Sequence, residues 1–210
     1  MTSTLCAEDR RTAEALRSPY DAVVTDLPEG GTVVLRPLQR GEIAPQLAVL
    51  EGMSATSRWQ RFLTAMPPRL STAAQAALSS IDGRQHVAWL ASVDGRPAGV
   101  ARYVEFEPGV AEVAFEVVDA HHGRGIASLL LEAVTTIAAY HGVRQLTATV
   151  LPGNDVSVRL LRKVGLCLHA ADGLLEGRSE LRVPTPAGLD RDAVLDAALA
   201  QVEADVRQGA

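Results

Sequence analysis

Residues Ala111 to Ala127, AEVAFEVVDAHHGRGIA, join a strand, a glycine turn and a helix start without a break, and this junction limits the folds open to the chain. In AEVAFEVV, Val113, Phe115 and Val117 fall on one side of the pleat and Glu112, Ala114 and Glu116 on the other. One face can therefore be buried while two carboxylates point away from it. From Ile126 onward, Leu129, Leu130, Ala133, Val134, Ile137 and Ala138 recur at helical spacing. Gly142 ends that helix as a C-cap, and VRQLTATVL supplies the next strand. The strand, helix, strand connection makes Val117 and Val150 members of neighbouring parallel strands.

Gly123 and Gly125 sit where the helix begins, so first-turn amides lack an intrahelical partner and no Cβ keeps a ligand off the backbone. Such a turn is either a plain connector or a site for a phosphate. A dinucleotide fingerprint would need Gly or Ala where Ser128 stands and an acidic residue closing the next strand, and VRQLTATVL has none. A nucleoside-triphosphate loop would need GxxxxGK before Ser or Thr, which is excluded because the sole lysine is Lys163.

The stretch resembles the core of the GNAT superfamily of N-acetyltransferases, whose phosphate loop reads Gln or Arg, two residues, Gly, one residue, Gly or Ala. Here the loop runs from His122 to Ala127, with His122 in place of Gln or Arg. The second half of the family signature is PGNDVSVRLLRKVGL, in which Asn154 opens a helix ending in Lys163, Val164, Gly165 and Leu166. The clear core of the match covers residues 85 to 183, with weaker support from residue 32. It implies a mixed α/β (α+β) fold: a mostly antiparallel central sheet with one parallel, splayed strand pair and helices on both faces. Extra N- and C-terminal helices are expected beyond it, with an arm over 1–30, the acetyltransferase domain over 31–185 and a helix in 186–210.

With 210 residues, 47% of them hydrophobic, the chain can bury one substantial core. No apolar run approaches the roughly 18 residues that span a bilayer, and MTSTLCAEDRR lacks the apolar core of a signal peptide, so no membrane role and a cytoplasmic location are expected. Cys6 and Cys167 are too few for a disulfide framework. The net charge of −5 favours cationic substrates, and no basic cluster interleaves with aromatics, which argues against nucleic acid. His86, His121 and His122 have no acidic or cysteine partner at ligand spacing, so no metal is expected.

Taken in order, residues 7–17 read as a helix of a peripheral arm, TVVLRPL as a strand and GEIAPQLAVLEGM as a helix with Pro45 in its first turn. SRWQRFL reads as a short helix that could bury Trp59 and Phe62 and leave its arginines in water. The same segment is similar to the Ser-x-x-Ser-x-x-x-Arg-Phe stretch of bacterial Pat-type protein-lysine acetyltransferases, here Ser54, Ser57, Arg61 and Phe62, which would make it part of the acceptor-site wall. STAAQAALSSI is a helix, and QHVAWLASV, RPAGVARYVEF and the central strand form three consecutive antiparallel strands. LCLHAAD and LEGRSELRVP make a final pair joined near Gly173. In the tail, Val194, Leu195, Leu199, Val202 and Val206 form a stripe that can pack back on the domain or pair two subunits.

The resemblance implies acetyl-CoA as cosubstrate, with the amides of His122, Gly123, Arg124, Gly125, Ile126, Ala127 and Ser128 around its diphosphate. Backbone amides at Val117 or Val118 would polarise the thioester carbonyl, and Asn154 would contact the pantetheine or merely cap its helix. Attack requires a neutral amine, and a lysine has a reference pKa of about 10.4, so a base must take its proton. Glu112 is the candidate, matching the glutamate of the family's AE-x-AF strand, with Glu116 as its rival. Leu161 occupies the position of the family's usual tyrosine acid, so Ser157, water or unassisted departure of the thiolate must serve instead. The expected function is acetylation of protein lysines; the alternatives are a small-amine acetyltransferase and a non-catalytic acyl-CoA sensor.

Overall fold

The computed structural model describes residues 22–64, 70–186 and 188–208. Eight strands form one sheet in the order β1-β2-β3-β4-β5-β6-β8-β7. They are β1 (Val23–Asp26), β2 (Thr32–Pro37), β3 (His86–Val93), β4 (Arg96–Glu107), β5 (Val110–Val117), β6 (Gln145–Val150), β7 (His169–Ala171) and β8 (Leu174–Glu180). Among the described residues the six helices are α1 (Ala44–Glu51), α2 (Ala55–Phe62), α3 (Thr72–Ser79), α4 (Ile126–Tyr140), α5 (Asp155–Lys163) and α6 (Arg191–Gln208). The helix expected over residues 7–17 lies outside the described residues. β1 falls within the stretch assigned to an N-terminal arm, yet it pairs with β2 from Val23↔Leu35 to Asp26↔Thr32 and so forms the sheet edge. Among the described residues no helix is long and apolar enough to cross a membrane.

Every strand pair is antiparallel except β5 with β6. That parallel pair holds only from Val110↔Gln145 to Glu112↔Thr147, although β5 continues to Val117 and β6 to Val150. The two strands therefore part after Glu112, as the resemblance implies.

Both faces of β3 are buried, which explains its continuous apolar run. Val87, Trp89 and Ala91 pack with β4, β5 and α4 on one side, while Ala88 and Leu90 join Leu38, Val49, Leu50, Met53, Ile81 and Val100 beneath α1 and its neighbours on the other. α4 is buried at Ile126 and from Leu129 through Ala138, including Glu132, Thr135 and Thr136. Both threonine hydroxyls donate to carbonyls four residues back, Leu131 O and Glu132 O, and Glu132 accepts from Arg191 Nε at 3.0 Å. That ion pair ties α6 to α4. Val194, Ala197 and Ala198 are buried against the main core, and Gln201 Nε2 donates to Leu38 O at 2.5 Å, so the tail packs back on its own domain. Leu199, expected on the packed stripe, is 41% exposed, whereas Ala197 and Ala198, which the stripe did not include, are buried in the main core.

The helix predicted from SRWQRFL forms as α2, but its orientation differs from the expectation of a buried Trp59. No residue of α2 is buried, Trp59 is 50% exposed and Arg61 turns inward. The physical reason is an ionic partner on β5, 55 residues away in sequence.

Candidate active site

β5 places two carboxylates four residues apart on one sheet face, and the structure gives them opposite environments. Glu112 is exposed and lies across from Thr147, at the last parallel pair before the strands part. Glu116 is 5% exposed. Its Oε2 accepts from Arg61 Nε at 2.6 Å and its Oε1 from Arg102 Nη2 at 3.3 Å. Burial opposes the charge on Glu116, but the two guanidiniums outweigh it and hold the carboxyl below the ordinary glutamate range. A carboxylate buried between two guanidiniums, with its charge stabilised by both, is a poor proton acceptor for an incoming amine.

The face around Glu112 is open. In β6 the burial alternates strictly, with Leu146, Ala148 and Val150 inside and Gln145, Thr147 and Thr149 partly exposed. Thr147 and Thr149 pair with Arg178 and Glu176 of β8, extending the same face, while α5 buries Val158 and Leu161 on the opposite side of the sheet. The result is a floor bearing Glu112, Ala114, Thr147, Thr149 and Glu176, reachable from water.

At the other end of β5, Val118 N–H donates to Ala98 O at 2.9 Å. Strand alternation then turns the Val117 N–H toward β6, where the ladder has already ended. Of the two amides expected to polarise a carbonyl, Val118's is thus engaged inside the sheet and Val117's faces the gap. A 3-10 turn at Asp119–His121 leads into the loop. His122 Nε2 donates to Val117 O at 2.9 Å, which fixes the ring against the strand end. Arg124 Nη1 donates to His121 Nδ1 at 2.9 Å, so this side chain braces the loop.

Gly123 and Gly125 have φ of +80° and +89°, left-handed backbone that disfavours any Cβ. This conformation turns successive amides outward. No main-chain hydrogen bond is made by the amides of Gly123, Arg124, Gly125, Ile126 or Ala127 among the described residues. Ser128 differs from the expectation, because its N–H already donates to Gly125 O at 3.0 Å as the helix closes its first turn. His122 N–H likewise donates to Asp119 O at 3.1 Å, so its contribution to the loop is the ring, not the amide. Five consecutive unpaired donors at a helix N-terminus form a cradle suited to a diphosphate. Space above it is open, since a Cβ on Gly123 would meet nothing within 4 Å.

Asn154 caps α5, its Oδ1 accepting from Ser157 N–H at 3.2 Å. Leu161 is 2% exposed and belongs to the core, so nothing at the usual tyrosine position can donate a proton. A cleft lined by Ser128, Leu131, Leu160, Lys163, Pro184 and Thr185 opens beside the helix start. Arg102 was not singled out from the sequence. Its signal was the alternation in GVARYV, which sets an arginine between Val100 and Val104 on a face that Val100 shows to be buried.

An acetyltransferase (GNAT) family model matches residues 53–166, which include the parted strands, the glycine loop and α5. The chain belongs to the GNAT acetyltransferase family. Acetyltransferase Pat of Mycolicibacterium smegmatis is 29% identical over 163 residues, covering 74% of this chain and 48% of that protein, so the chain spans about half the length of this curated relative. The crystal structure of the GNAT domain of S. lividans PAT superposes with a TM-score of 0.69 at 30% identity, covering 76% of this chain and 97% of that one. A Salmonella typhimurium protein solved with its cofactor acetyl-CoA superposes at 0.54 with 18% identity, over 75% of this GNAT chain and 98% of its own, a likeness of fold.

Proposed function

We propose that this protein is an acetyl-CoA-dependent N-acetyltransferase acting on lysine side chains of proteins. The observation that carries the reading is the run of five amides, Gly123 to Ala127, that have no partner among the described residues, beside a strand pair that parts next to an exposed carboxylate. Similarity to two Pat proteins supports the lysine acceptor. When bound, acetyl-CoA supplies an acyl carbon activated as a thioester. The amides of Gly123 to Ala127 hold the diphosphate, and the Val117 N–H donates to the carbonyl oxygen as negative charge grows there.

Glu112 takes the proton of the acceptor amine, directly or through water, on the open sheet face. Its preference over Glu116 is supported by the environments of the two groups: Glu116 is held by Arg61 and Arg102, and Glu112 is exposed. The Ser157 hydroxyl makes no hydrogen bond among the described residues and is free to hydrogen-bond to the departing thiolate, which takes its proton from water. Unassisted departure is also open, because a thiol pKa is only about 8.5. Mass spectrometry of a native protein extract incubated with this protein and isotopically labelled acetyl-CoA tests the reading. Label on lysines of proteins is expected; label confined to small amines would move the acceptor class, and no label beside measurable acetyl-CoA binding would leave a sensor.

A further inference from the structure

Glu112 has near neighbours on its own face of the sheet, and the strand registers name them. Val104 lies across from it on β4 and Thr147 on β6, while alternation puts Val110 and Ala114 before and after it on β5. Of these, Val104, Val110 and Ala114 are apolar. Thr147 alone carries a group that can hydrogen-bond, a hydroxyl on a partly exposed side chain. Val104 is 37% exposed and lines the same open floor without offering a polar partner.

Charged groups begin one position farther out. Arg178, beyond Thr147 on β8, donates through Nε to Gln145 Oε1 at 2.8 Å and through Nη2 to Glu107 Oε2 at 3.2 Å. His86, beyond Val104 on β3, is buried, and Glu116 is held by Arg61 and Arg102. Glu176 stands opposite Thr149, diagonal to Thr147. Neither Glu112 nor Thr147 makes a side-chain hydrogen bond among the described residues. Paired strands lie about 4.8 Å apart, a span that one water bridges with two hydrogen bonds of about 2.8 Å.

We infer that Thr147 is a positioning residue for the proton transfer: its hydroxyl and the Glu112 carboxylate together hold the water that connects this carboxylate to the acceptor amine. The inference rests on the proposed role of Glu112 as base. The ammonium gives a proton to the water, and the water gives one of its own to Glu112, so the water is regenerated. Thr147 keeps its proton, and no covalent bond to it forms or breaks. A water held at one point only is free to swing over the open floor; a second hydrogen bond fixes it on the line between amine and carboxylate.

Thr147→Val removes the hydroxyl and keeps the β-branched shape that suits a strand. With N-α-acetyl-lysine methylamide as acceptor, kcat should fall about tenfold, while the acceptor KM and the acetyl-CoA Kd stay within about twofold. Thr147→Ser should recover most of the loss. In a Glu112→Gln background the same Thr147→Val change should cost less than about twofold, since a residue that works through Glu112 has nothing left to act on. Equal costs in the two backgrounds would overturn the inference, and so would an unchanged kcat in Thr147→Val. If Glu112→Gln retains full kcat, it is the assignment of the base that fails. A crystal structure of the coenzyme A complex supplies a readout free of turnover. A water within about 3.2 Å of both Thr147 Oγ and a Glu112 carboxylate oxygen is expected there. A direct bond between the two side chains, or no shared water, overturns the inference whatever the acceptor class.

Discussion

Gly125 has φ of +89°, so a side chain there meets backbone strain, while Pro28 Cδ, 3.5 Å from where its Cβ would stand, is only in ordinary contact. A left-handed non-glycine residue costs roughly 1–2 kcal/mol. Gly125→Ala is therefore expected to weaken coenzyme A binding by about tenfold or more in calorimetry, with little change in melting temperature if the loop relaxes its angles instead of holding the cradle. Glu112→Gln removes the proposed proton acceptor and keeps its shape; kcat should fall by about 10²- to 10⁴-fold with acetyl-CoA affinity retained, measured by steady-state kinetics and calorimetry together. At this scale sequence alone left Glu112 and Glu116 on the same face with the same chemistry. What separates them is Arg61 and Arg102, drawn in from α2 and β4, which no local pattern around β5 contains.

Elements were legible where their own residues decide their state. The hairpin turns, the apolar stripe of α4, Pro45 in the first turn of α1 and Asn154 at the head of α5 all act locally. α2 was legible as a helix but not in its orientation, because Trp59 and Phe62 read as the buried pair and the ion pair that overrides them spans 55 residues. The docking of α6 was likewise undetermined: Val194 of the expected stripe is buried, but Ala197, Ala198 and Gln201 are buried with it while Leu199 of the stripe is 41% exposed. Arg191 reaches the fully buried Glu132, and its Nη2 donates to Pro184 O beside the cleft. Arg191→Met should lower stability by roughly 1–3 kcal/mol in urea unfolding, the cost of removing one partner from a buried polar group, and should loosen the Pro184–Thr185 side of the cleft.

For the molecule as a whole, sheet order followed from consecutive hairpins and one parallel crossover, so most of the topology could be read in advance. The point where β5 and β6 part could not, because both strands keep their apolar alternation past Glu112 and Thr147. Stability against acid is also a property of the assembled core. Burial, followed by the charge of Arg102, lowers the pKa of His86 from 6.5 to about 4, so the folded protein keeps this ring neutral while the unfolded chain binds a proton. Stability should be lost as pH falls from about 6.5 toward 4, by at most about 3 kcal/mol, and the loss should level off below that window. Urea midpoints for His86→Leu should show a shallower decline across it than wild type; an identical slope would show that other groups carry the effect. The central claim, that main-chain amides of residues 123–127 grip a diphosphate beside parted strands, is tested most directly by calorimetry of coenzyme A against pantetheine, which shares the arm and thiol but lacks the diphosphate. Coenzyme A should bind at least about 100-fold more tightly; no heat with coenzyme A, or equal affinity for the two, would contradict it.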